Sequence, residues 1–231
     1  MWRSLALILN EIGMIAADTS RTLCYLVELM RHNLKPNHVL LLINQEKNFL
    51  PGQNNKGSLN KIIEILETEF ISYEISPNRD INSGDVLDIL SMRSETTFIF
   101  SGFGGVLLKE SILDIGKQFL HVHGGYLPYY KGSTTNYFSL LEENIMGASS
   151  IFLTKDIDCG PVLIREKFPA PNDRTGIDHI YDSQVRAVVL IKTLKKYIEF
   201  GSFNFDYVEN VGGETFYVIH PVLKHLAILK E

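Results

Sequence analysis

Two histidines stand one residue apart at the end of a short apolar segment. Residues 119–123 have the composition of a buried β-strand, and His121 and His123 lie in its last half. Because alternate residues of a strand point to the same face, both imidazoles are predicted to share a face. Gly124 and Gly125 follow, so the chain can turn there. Such imidazoles could donate hydrogen bonds or exchange protons near neutral pH, whereas the alternative is a polar pair satisfied by backbone groups.

An aspartate further along the chain is the candidate partner of these imidazoles. Asp158 lies within the segment Asp-Ile-Asp-Cys-Gly-Pro at 156–161, between two predicted strands. Asp and Gly are common in plain reverse turns. A carboxylate that faced a histidine would instead stabilise the protonated ring and fix its tautomer. Both interpretations are open from the residues alone.

A metal site is the sharpest alternative for the histidine pair. His121, His123 and a later carboxylate could form a two-histidine, one-carboxylate iron site. The residues that follow His123 are Gly-Gly-Tyr-Leu-Pro and include no acidic ligand, and the alternating strands and helices do not suit an all-β oxygenase barrel. No metal is therefore predicted.

Residues 126–137 carry more hydrogen-bonding and aromatic groups than a helix cap needs, which indicates a binding surface. The candidate substrate-binding residues are Tyr126, Lys131, Ser133, Thr134 and Asn136. The glycines at 102–105 do not match a dinucleotide fingerprint, and Gly132-Ser133 is not a phosphate loop. Sites for NAD and ATP are excluded on these patterns.

The first 123 residues alternate between predicted strands and helices. Strands are predicted at 5–9, 39–43, 71–75, 96–100 and 119–123. Helices are predicted at 23–34, 58–70, 80–92 and 106–115, with a loop at 45–57. This order predicts an α/β, Rossmann-like, mostly parallel sheet flanked by helices. Ligands of such sheets bind beyond the carboxyl ends of the strands, where the glycine cluster and the histidine pair fall.

Beyond residue 123 the pattern becomes mixed. A helix is predicted at 134–144, strands at 149–153 and 162–168, a long helix at 175–200 and a late strand at 216–219. We expect a catalytic domain over 1–170 and a C-terminal extension over 171–231, formed by the long helix and a short β-hairpin. The long helix has apolar residues on more than one side, which would suit a homodimer.

Composition narrows the partners and the compartment. The 231 residues carry a formal net charge of −5 without a basic tract, so nucleic-acid binding is not expected. Two distant cysteines suit a cytoplasmic thiol protein. The apolar run at 5–9 ends before secretory length, and no stretch of about 18 apolar residues predicts a membrane span.

Taken together, the motifs resemble the folate-dependent formyltransferases, which include glycinamide ribonucleotide, methionyl-tRNA and bacterial sugar N-formyltransferases. That family has Asn-x-His, then Leu-Pro, then Gly, and later an Asp before Gly-Pro. Here the pattern is His121-Val-His123, Leu127-Pro128, Gly132 and Asp158-Cys-Gly-Pro. The turn Ser-Gly-Phe-Gly-Gly at 101–105 is similar to the family's turn beside the folate pteridine. The resemblance covers residues 1–170.

The resemblance implies that His123 and Asp158 are catalytic, with His121 in the place of the family's oxyanion-binding Asn. It implies N10-formyltetrahydrofolate as co-substrate. The residues expected to hold this folate are Phe103, Gly104, Gly105, Val106, Leu107, Lys155, Asp156 and Ile157. The expected acceptor is the amine of a nucleotide-linked amino sugar. Alternatives are glycinamide ribonucleotide as acceptor, hydrolysis of formyl-folate, and a catalytically impaired folate- or sugar-binding protein.

Overall fold

The computed structural model of the protein describes residues 6–43, 58–205 and 207–229. The predicted loop at 45–57 lies outside these residues. The chain divides into two units, Met1–Leu120 and His121–Glu231. This division falls within the strand that carries both histidines and not at the predicted domain boundary of 170/171.

The first unit alternates strands and helices, as the sequence pattern predicts. Its elements are β1 Leu7–Leu9, β2 Ile12–Ala17, α1 Ser20–Arg31, β3 Leu34–Pro36, β4 His38–Leu42, α2 Ser58–Thr68, β5 Ser72–Ile75, α3 Gly84–Met92, β6 Thr97–Ser101, α4 Glu110–Leu113 and the first half of β7 Gln118–His123. Its main sheet has the strand order β7-β6-β2-β4-β5, and every neighbouring pair is parallel.

The centre of this sheet is a strand that the sequence pattern did not predict. All six residues of β2 are buried, and β2 pairs with β4 on one side and β6 on the other. The strand predicted at 5–9 is not part of this sheet. Its observed part, β1, pairs only with β3 in a separate two-stranded sheet, and Leu7 and Ile8 are exposed. An apolar run alone does not distinguish a side strand from a central one.

Two helices of the first unit begin at side-chain caps, and the longer helices bury one stripe. Thr19 caps α1 by accepting a hydrogen bond from the backbone N–H of Thr22 at 3.1 Å, and Ser83 caps α3 in the same way. Helix α2 buries Leu59, Ile62 and Leu66. Phe70, predicted to extend this stripe, is instead 93% exposed, because it follows the end of α2 in a left-handed conformation.

The second unit contains the remaining elements. They are the last half of β7, β8 Tyr130–Gly132, α5 Thr135–Glu142, β9 Ile145–Phe152, β10 Val162–Pro169, α6 Tyr181–Phe200, β11 Glu214–Phe216 and α7 Pro221–Leu229. Strand β9 lies next to β7, and β10 pairs with β9 in antiparallel fashion. Counted through β7, the sheet has seven strands and is mostly parallel, which confirms the predicted α/β class.

The C-terminal segment differs from the predicted β-hairpin. Strand β11 pairs in parallel with β8, so it forms no hairpin. Helix α7 follows it, and this helix was not predicted. The long helix begins at Tyr181 and not at Thr175, and it ends at Phe200 as predicted, where Gly201 adopts a left-handed conformation. Among the described residues, no helix is long and apolar enough to cross a membrane.

Candidate active site

The site is built around the last residue of β7. The side chain of His123 is buried, with 5% of the residue exposed. Its Nε2 lies 2.7 Å from the backbone carbonyl oxygen of Tyr130. Because a carbonyl oxygen can only accept, this nitrogen carries a proton and donates it. The other ring nitrogen, Nδ1, lies 3.3 Å from Oδ2 of Asp158.

Asp158 accepts hydrogen bonds at both its carboxylate and its backbone carbonyl. Its Oδ2 accepts a hydrogen bond of 2.7 Å from the backbone N–H of Gly132. Its own carbonyl oxygen accepts one of 2.9 Å from Nδ2 of Asn210, which also donates to the carbonyl of Gly160 at 2.8 Å. Asp158 adopts a left-handed conformation, with φ at +52°. This conformation is uncommon for residues with a Cβ, although Asp tolerates it better than most.

Two glycines leave the space that this arrangement requires. A Cβ atom on Gly125 would lie 2.4 Å from the carbonyl oxygen of Tyr130 and 2.6 Å from Nε2 of His123, so it would separate the two. A Cβ on Gly160 would lie 1.8 Å from the carbonyl oxygen of Phe152. The glycines therefore permit the close approach of backbone to imidazole and the tight turn after Asp158.

The His123–Asp158 contact can hold one exchangeable proton. Nε2 keeps its proton in either state, so a proton taken up by the pair lies between Nδ1 and the carboxylate. Burial lowers the pKa of His123 below its usual 6.5, and the charge of Arg186 lowers it further. Asp158, the Tyr130 carbonyl and Asp182 oppose this by favouring the charged ring. The pair is thus arranged to accept a proton rather than to carry one permanently.

The imidazole of His123 is engaged on both sides. Each of its two ring nitrogens contacts a protein atom. The same engagement leaves no ring nitrogen of His123 for a metal. His121 lies on the same face of β7 and is partly buried. Among the described residues, no group of three or more His, Cys, Asp or Glu could hold a metal ion.

The residues predicted to bind folate fall in both units. In the first unit, the guanidinium of Arg79 lies 4.5 Å from the ring centre of Phe103. The side chain of Asn82 donates to the carbonyl of Leu107 at 2.9 Å and accepts from the backbone N–H of Lys109 at 2.8 Å. The segment from Gly104 to Leu107 is exposed but held in place by these contacts.

In the second unit, Lys155, Asp156 and Ile157 are exposed and immediately precede Asp158. Ile157 exposes 45% of its surface, which is unusual for an isoleucine beside a buried carboxylate. The folate-binding role of both segments remains a prediction.

Three of the five predicted substrate-binding residues contact the C-terminal segment. The ammonium of Lys131 is buried and donates to the carbonyl of Gly212 at 2.7 Å. The backbone N–H of Ser133 donates to Phe216, and the hydroxyl of Thr134 accepts from the backbone N–H of Ile219 at 2.9 Å. These polar groups hold β11 against β8, which is a structural use that the sequence pattern did not indicate.

The other two predicted residues have different surroundings. Asn136 is buried at the start of α5, and its amide lies 3.5 Å from Asp178. Tyr126 is partly exposed, and the cationic groups of Arg165 and Lys167 lie 4.8 Å and 5.1 Å from its ring centre. Tyr126 is the one aromatic residue of the five.

Some residues of the site were missed by the sequence pattern. The carbonyl of Tyr130 and the N–H of Gly132 are backbone groups, which residue types do not reveal. Asn210 lies 52 positions from Asp158, beyond any local motif. Asp182 and Arg186 did carry a signal, because an acidic residue four positions before a basic one on a helix predicts an ion pair.

Comparisons with known proteins agree with the motifs. The chain is 26% identical over 151 residues to the methionyl-tRNA formyltransferase of Clostridium tetani, which covers 64% of this chain and 48% of that protein. It is 26% identical over 143 residues to the mitochondrial formyltetrahydrofolate deformylase 2 of Arabidopsis thaliana, with 60% and 43% covered. The chain thus spans about half the length of these relatives. No family model matches it.

Solved structures share the fold. The N-formyltransferase of Helicobacter canadensis, in complex with folinic acid and dTDP-3-aminofucose, has a TM-score of 0.60 and 17% identity, covering 91% of this chain and 71% of that one. A sugar N-formyltransferase from a Shewanella species has a TM-score of 0.59 and 12% identity, covering 94% and 86%. HypX from Aquifex aeolicus with tetrahydrofolic acid has 0.60 and 12%, covering 92% and 30%.

The α/β fold is shared with solved formyltransferases, and over about 60% of its length the chain is similar in sequence to a methionyl-tRNA formyltransferase and a formyltetrahydrofolate deformylase. The chain is related to the folate-dependent formyltransferases, which confirms the resemblance predicted from its motifs.

Proposed function

We propose that this protein transfers the formyl group of N10-formyltetrahydrofolate to the amine of a nucleotide-linked amino sugar. The observation that carries the proposal is the 3.3 Å contact between His123 Nδ1 and Asp158 Oδ2 at the carboxyl end of β7. The carboxyl ends of strands are where α/β proteins bind their ligands. Relatives and structural neighbours that bind or act on folates support the same co-substrate.

The reaction needs one base and no oxidant. The neutral acceptor amine attacks the formyl carbon, a new C–N bond forms, and the carbonyl oxygen becomes an oxyanion. The attacking nitrogen then loses a proton, the bond between the formyl carbon and N10 breaks, and N10 takes up a proton. The amine loses one proton and N10 gains one. A single residue pair can therefore accept the first proton and supply the second.

The His123–Asp158 pair is the proposed base. It accepts the proton of the attacking amine between Nδ1 and the carboxylate, and burial of the imidazole keeps it ready to release that proton to N10. His121 is the proposed donor to the oxyanion, a contribution of about 3 kcal/mol where such a donor is well placed. Phe103 to Leu107 and Lys155 to Ile157 are proposed to bind the folate.

The pH dependence follows from the burial of His123. Because its pKa lies below 6.5, the base form predominates at pH 7, and the rate should fall as the pH drops through that lower value. A second limb belongs to the acceptor, since only the neutral amine attacks. We therefore expect kcat/KM to rise with pH across the acidic range.

The choice of an amino sugar rests on the structural neighbours and on charge. Two neighbours are sugar N-formyltransferases or bind a nucleotide-linked amino sugar. The methionyl-tRNA formyltransferases are relatives in sequence, but the net charge of −5 disfavours a polyanionic acceptor. Tyr126, with two cationic side chains over its ring, is a proposed contact for the nucleotide. A homodimer remains our expectation.

The test is a set of parallel reactions with purified protein and N10-formyltetrahydrofolate. The acceptors are a panel of nucleotide-linked amino sugars, glycinamide ribonucleotide, methionyl-tRNA, and no acceptor. Mass spectrometry follows formylated product, and absorbance follows tetrahydrofolate. The Asp158→Asn variant is the control, because it keeps the size of the side chain and removes the base.

Each result decides between the candidates. A formylated sugar formed by the wild type and not by Asp158→Asn supports the proposal. Product with glycinamide ribonucleotide or methionyl-tRNA alone would replace the sugar by that acceptor. Release of formate without an amine would identify a deformylase, as one sequence relative is. Tight folate binding without turnover would favour the binding protein.

A further inference from the structure

An ion pair on α6 lies against the end of β7. Asp182 and Arg186 are one helical turn apart, and Nε of Arg186 lies 2.8 Å from Oδ2 of Asp182. Both side chains are largely buried, with 16% and 10% exposed for Arg186 and Asp182. Nη1 of Arg186 donates a hydrogen bond of 3.0 Å to the carbonyl oxygen of Val122. Val122 lies between the two histidines, so the guanidinium holds the strand where they project.

The turn after His123 is shaped to admit this pair. A Cβ atom on Gly124 would lie 2.3 Å from Nη2 of Arg186 and 2.7 Å from Oδ1 of Asp182. Glycine is therefore required at 124 for the guanidinium and the carboxylate to reach the strand end. Gly125, next along the chain, leaves the corresponding space for the ring of His123. The two glycines thus admit the ion pair and the imidazole respectively.

Stability alone is a weak reason for this arrangement. A buried ion pair loses the hydration of both charges, and apolar residues of similar size often stabilise a protein as well or better. Oδ1 of Asp182 is buried without a hydrogen-bond partner among the described residues. Such a group is an energetic cost that its surroundings tolerate. A pair that is expensive, buried and directed at a candidate catalytic residue is more consistent with a role in the site.

Four protein groups act on the protonation of His123. Asp158 faces Nδ1, and the carbonyl of Tyr130 faces Nε2. From α6, Arg186 disfavours a proton on the ring and Asp182 favours it. His121 is the titratable neighbour on the same strand.

We propose that Arg186, oriented by Asp182, is a positioning residue of the His123–Asp158 pair. The guanidinium fixes the backbone from which His123 projects, and its positive charge favours the state of the pair that has released its proton. The effect of Arg186 on catalysis rests on the proposed function, whereas its effect on the position and protonation of His123 does not.

The first test therefore needs no substrate. The seven histidines of the full-length protein are titrated by two-dimensional NMR of the imidazole nitrogens, and the His123 signals are assigned with a His123→Asn variant. In Arg186→Met the pKa of His123 should rise, because a positive charge is lost and Asp182 is left uncompensated. In Asp182→Asn it should fall, because the positive charge is left alone. The two variants should thus shift the pKa of His123 in opposite directions. A general loosening of the fold would shift it in the same direction in both.

Lys192→Met is the matched control. Lys192 lies on the same helix, forms an exposed ion pair of 2.5 Å with Glu166, and is not among the charges that act on His123. It should leave the His123 titration and the rate unchanged. An unchanged titration of His123 in Arg186→Met would overturn the proposal. If that variant does not fold, Asp182→Asn decides, and an unchanged His123 titration there has the same consequence.

Turnover gives the second test. With the acceptor identified above, Arg186→Met should lower kcat by up to about 100-fold with little change in KM, because misplacing a catalytic group acts on the transition state. The acidic limb of the rate profile should move to higher pH, and Arg186→Lys should restore that limb in part. Shifts of His123 without any formyl transfer by the wild type would refute the proposed function and leave the placement of Arg186 intact.

Discussion

Two clusters in this molecule, each built around a buried histidine, contain the same types of charged group. Each has one histidine, one arginine and two carboxylates, with the histidine 5% exposed in both. The cluster of the first unit comprises His38, Glu74, Arg93 and Glu95. The cluster of the second unit comprises His123, Asp158, Asp182 and Arg186. In both, burial lowers the pKa of the histidine.

In the first cluster, the histidine and the buried glutamate are both engaged by other protein groups. His38 is the first residue of β4, and its ring nitrogens contact Ser72 Oγ at 2.9 Å and Glu74 Oε1 at 3.1 Å. Arg93 forms two hydrogen bonds to the fully buried Glu95, and Asn37 forms a third. Burial raises the pKa of Glu95, but these hydrogen bonds outweigh it and bring the pKa to about 2. Both carboxylate oxygens of the buried Glu95 therefore accept hydrogen bonds, as a stabilising network requires.

The second cluster is arranged to exchange a proton. His123 is the last residue of β7, glycines follow it, and Asp158 is held in a left-handed conformation. Nδ1 faces a carboxylate, so the pair can take up one proton between them, and Asp182 keeps an oxygen without a partner among the described residues. The same residue types and a lowered histidine pKa therefore do not distinguish the candidate site from the first cluster. The candidate site differs in lying at the carboxyl end of its strand and in keeping a carboxylate oxygen without a partner among the described residues.

The largest expected effect separates the two clusters by activity. Replacing Asp158 by Asn should lower kcat by about 10²- to 10⁴-fold, the usual range for loss of a general base. Glu74→Gln in the first cluster is the matched control, since it also removes a carboxylate from a histidine. Steady-state formyl transfer and thermal denaturation are measured on both variants.

Asp158→Asn should leave the melting temperature nearly unchanged, whereas Glu74→Gln should leave kcat unchanged. Equal losses of kcat in the two variants would remove the distinction between the clusters.

The next effect separates them by stability. Replacing Glu95 by Ala should lower the free energy of unfolding by about 3 kcal/mol, because the guanidinium of Arg93 and the amide of Asn37 lose their buried acceptor. Urea denaturation at pH 7 measures this. Glu166→Ala, which breaks an exposed ion pair, should cost less than about 1 kcal/mol.

The same carboxylate gives the protein an acid limb of stability. The pKa of Glu95 is depressed on folding, so its contribution is complete above the unfolded value of about 4.3 and is lost as the pH falls toward 2. The free energy of unfolding should decline in this window for the wild type. In Glu95→Gln the decline should be shallower, and an identical slope would contradict the assignment.

The sequence pattern predicted much of the sheet and part of the candidate site. Strands β4, β6 and β7 lie within a residue or two of their predicted places, because compact runs of β-branched and apolar residues have few alternatives. Strand β2 was missed, since Gly13 and two alanines give it a weak apolar signal. Its central position depends on the two strands that pair with it, one on each side, and is therefore a property of the tertiary structure.

In the site, the pairing of His123 with Asp158 was expected from the family resemblance and lies within ion-pair distance in the structure. The orientation of the imidazole was not predictable, because it depends on the direction of the Tyr130 carbonyl. A carbonyl has the same chemistry in every residue, so no residue type signals it. The contribution of Asn210 was hidden for the related reason that it acts on backbone oxygens far away in sequence.

The smallest expected effect tests how far Asp158 depends on that support. Asn210→Ala removes two hydrogen bonds to the carbonyls on either side of Cys159, each worth about 1 kcal/mol. The left-handed turn at Asp158 should then relax in a fraction of molecules, and kcat should fall roughly fivefold with the pH profile unchanged, because the base itself is intact. Asn204→Ala is the control, since this asparagine is exposed and lies on the same segment. A fall as large as that of Asp158→Asn would mean that Asn210 itself takes part in the proton transfer. No fall at all would mean that Gly132 and His123 are sufficient to hold the carboxylate.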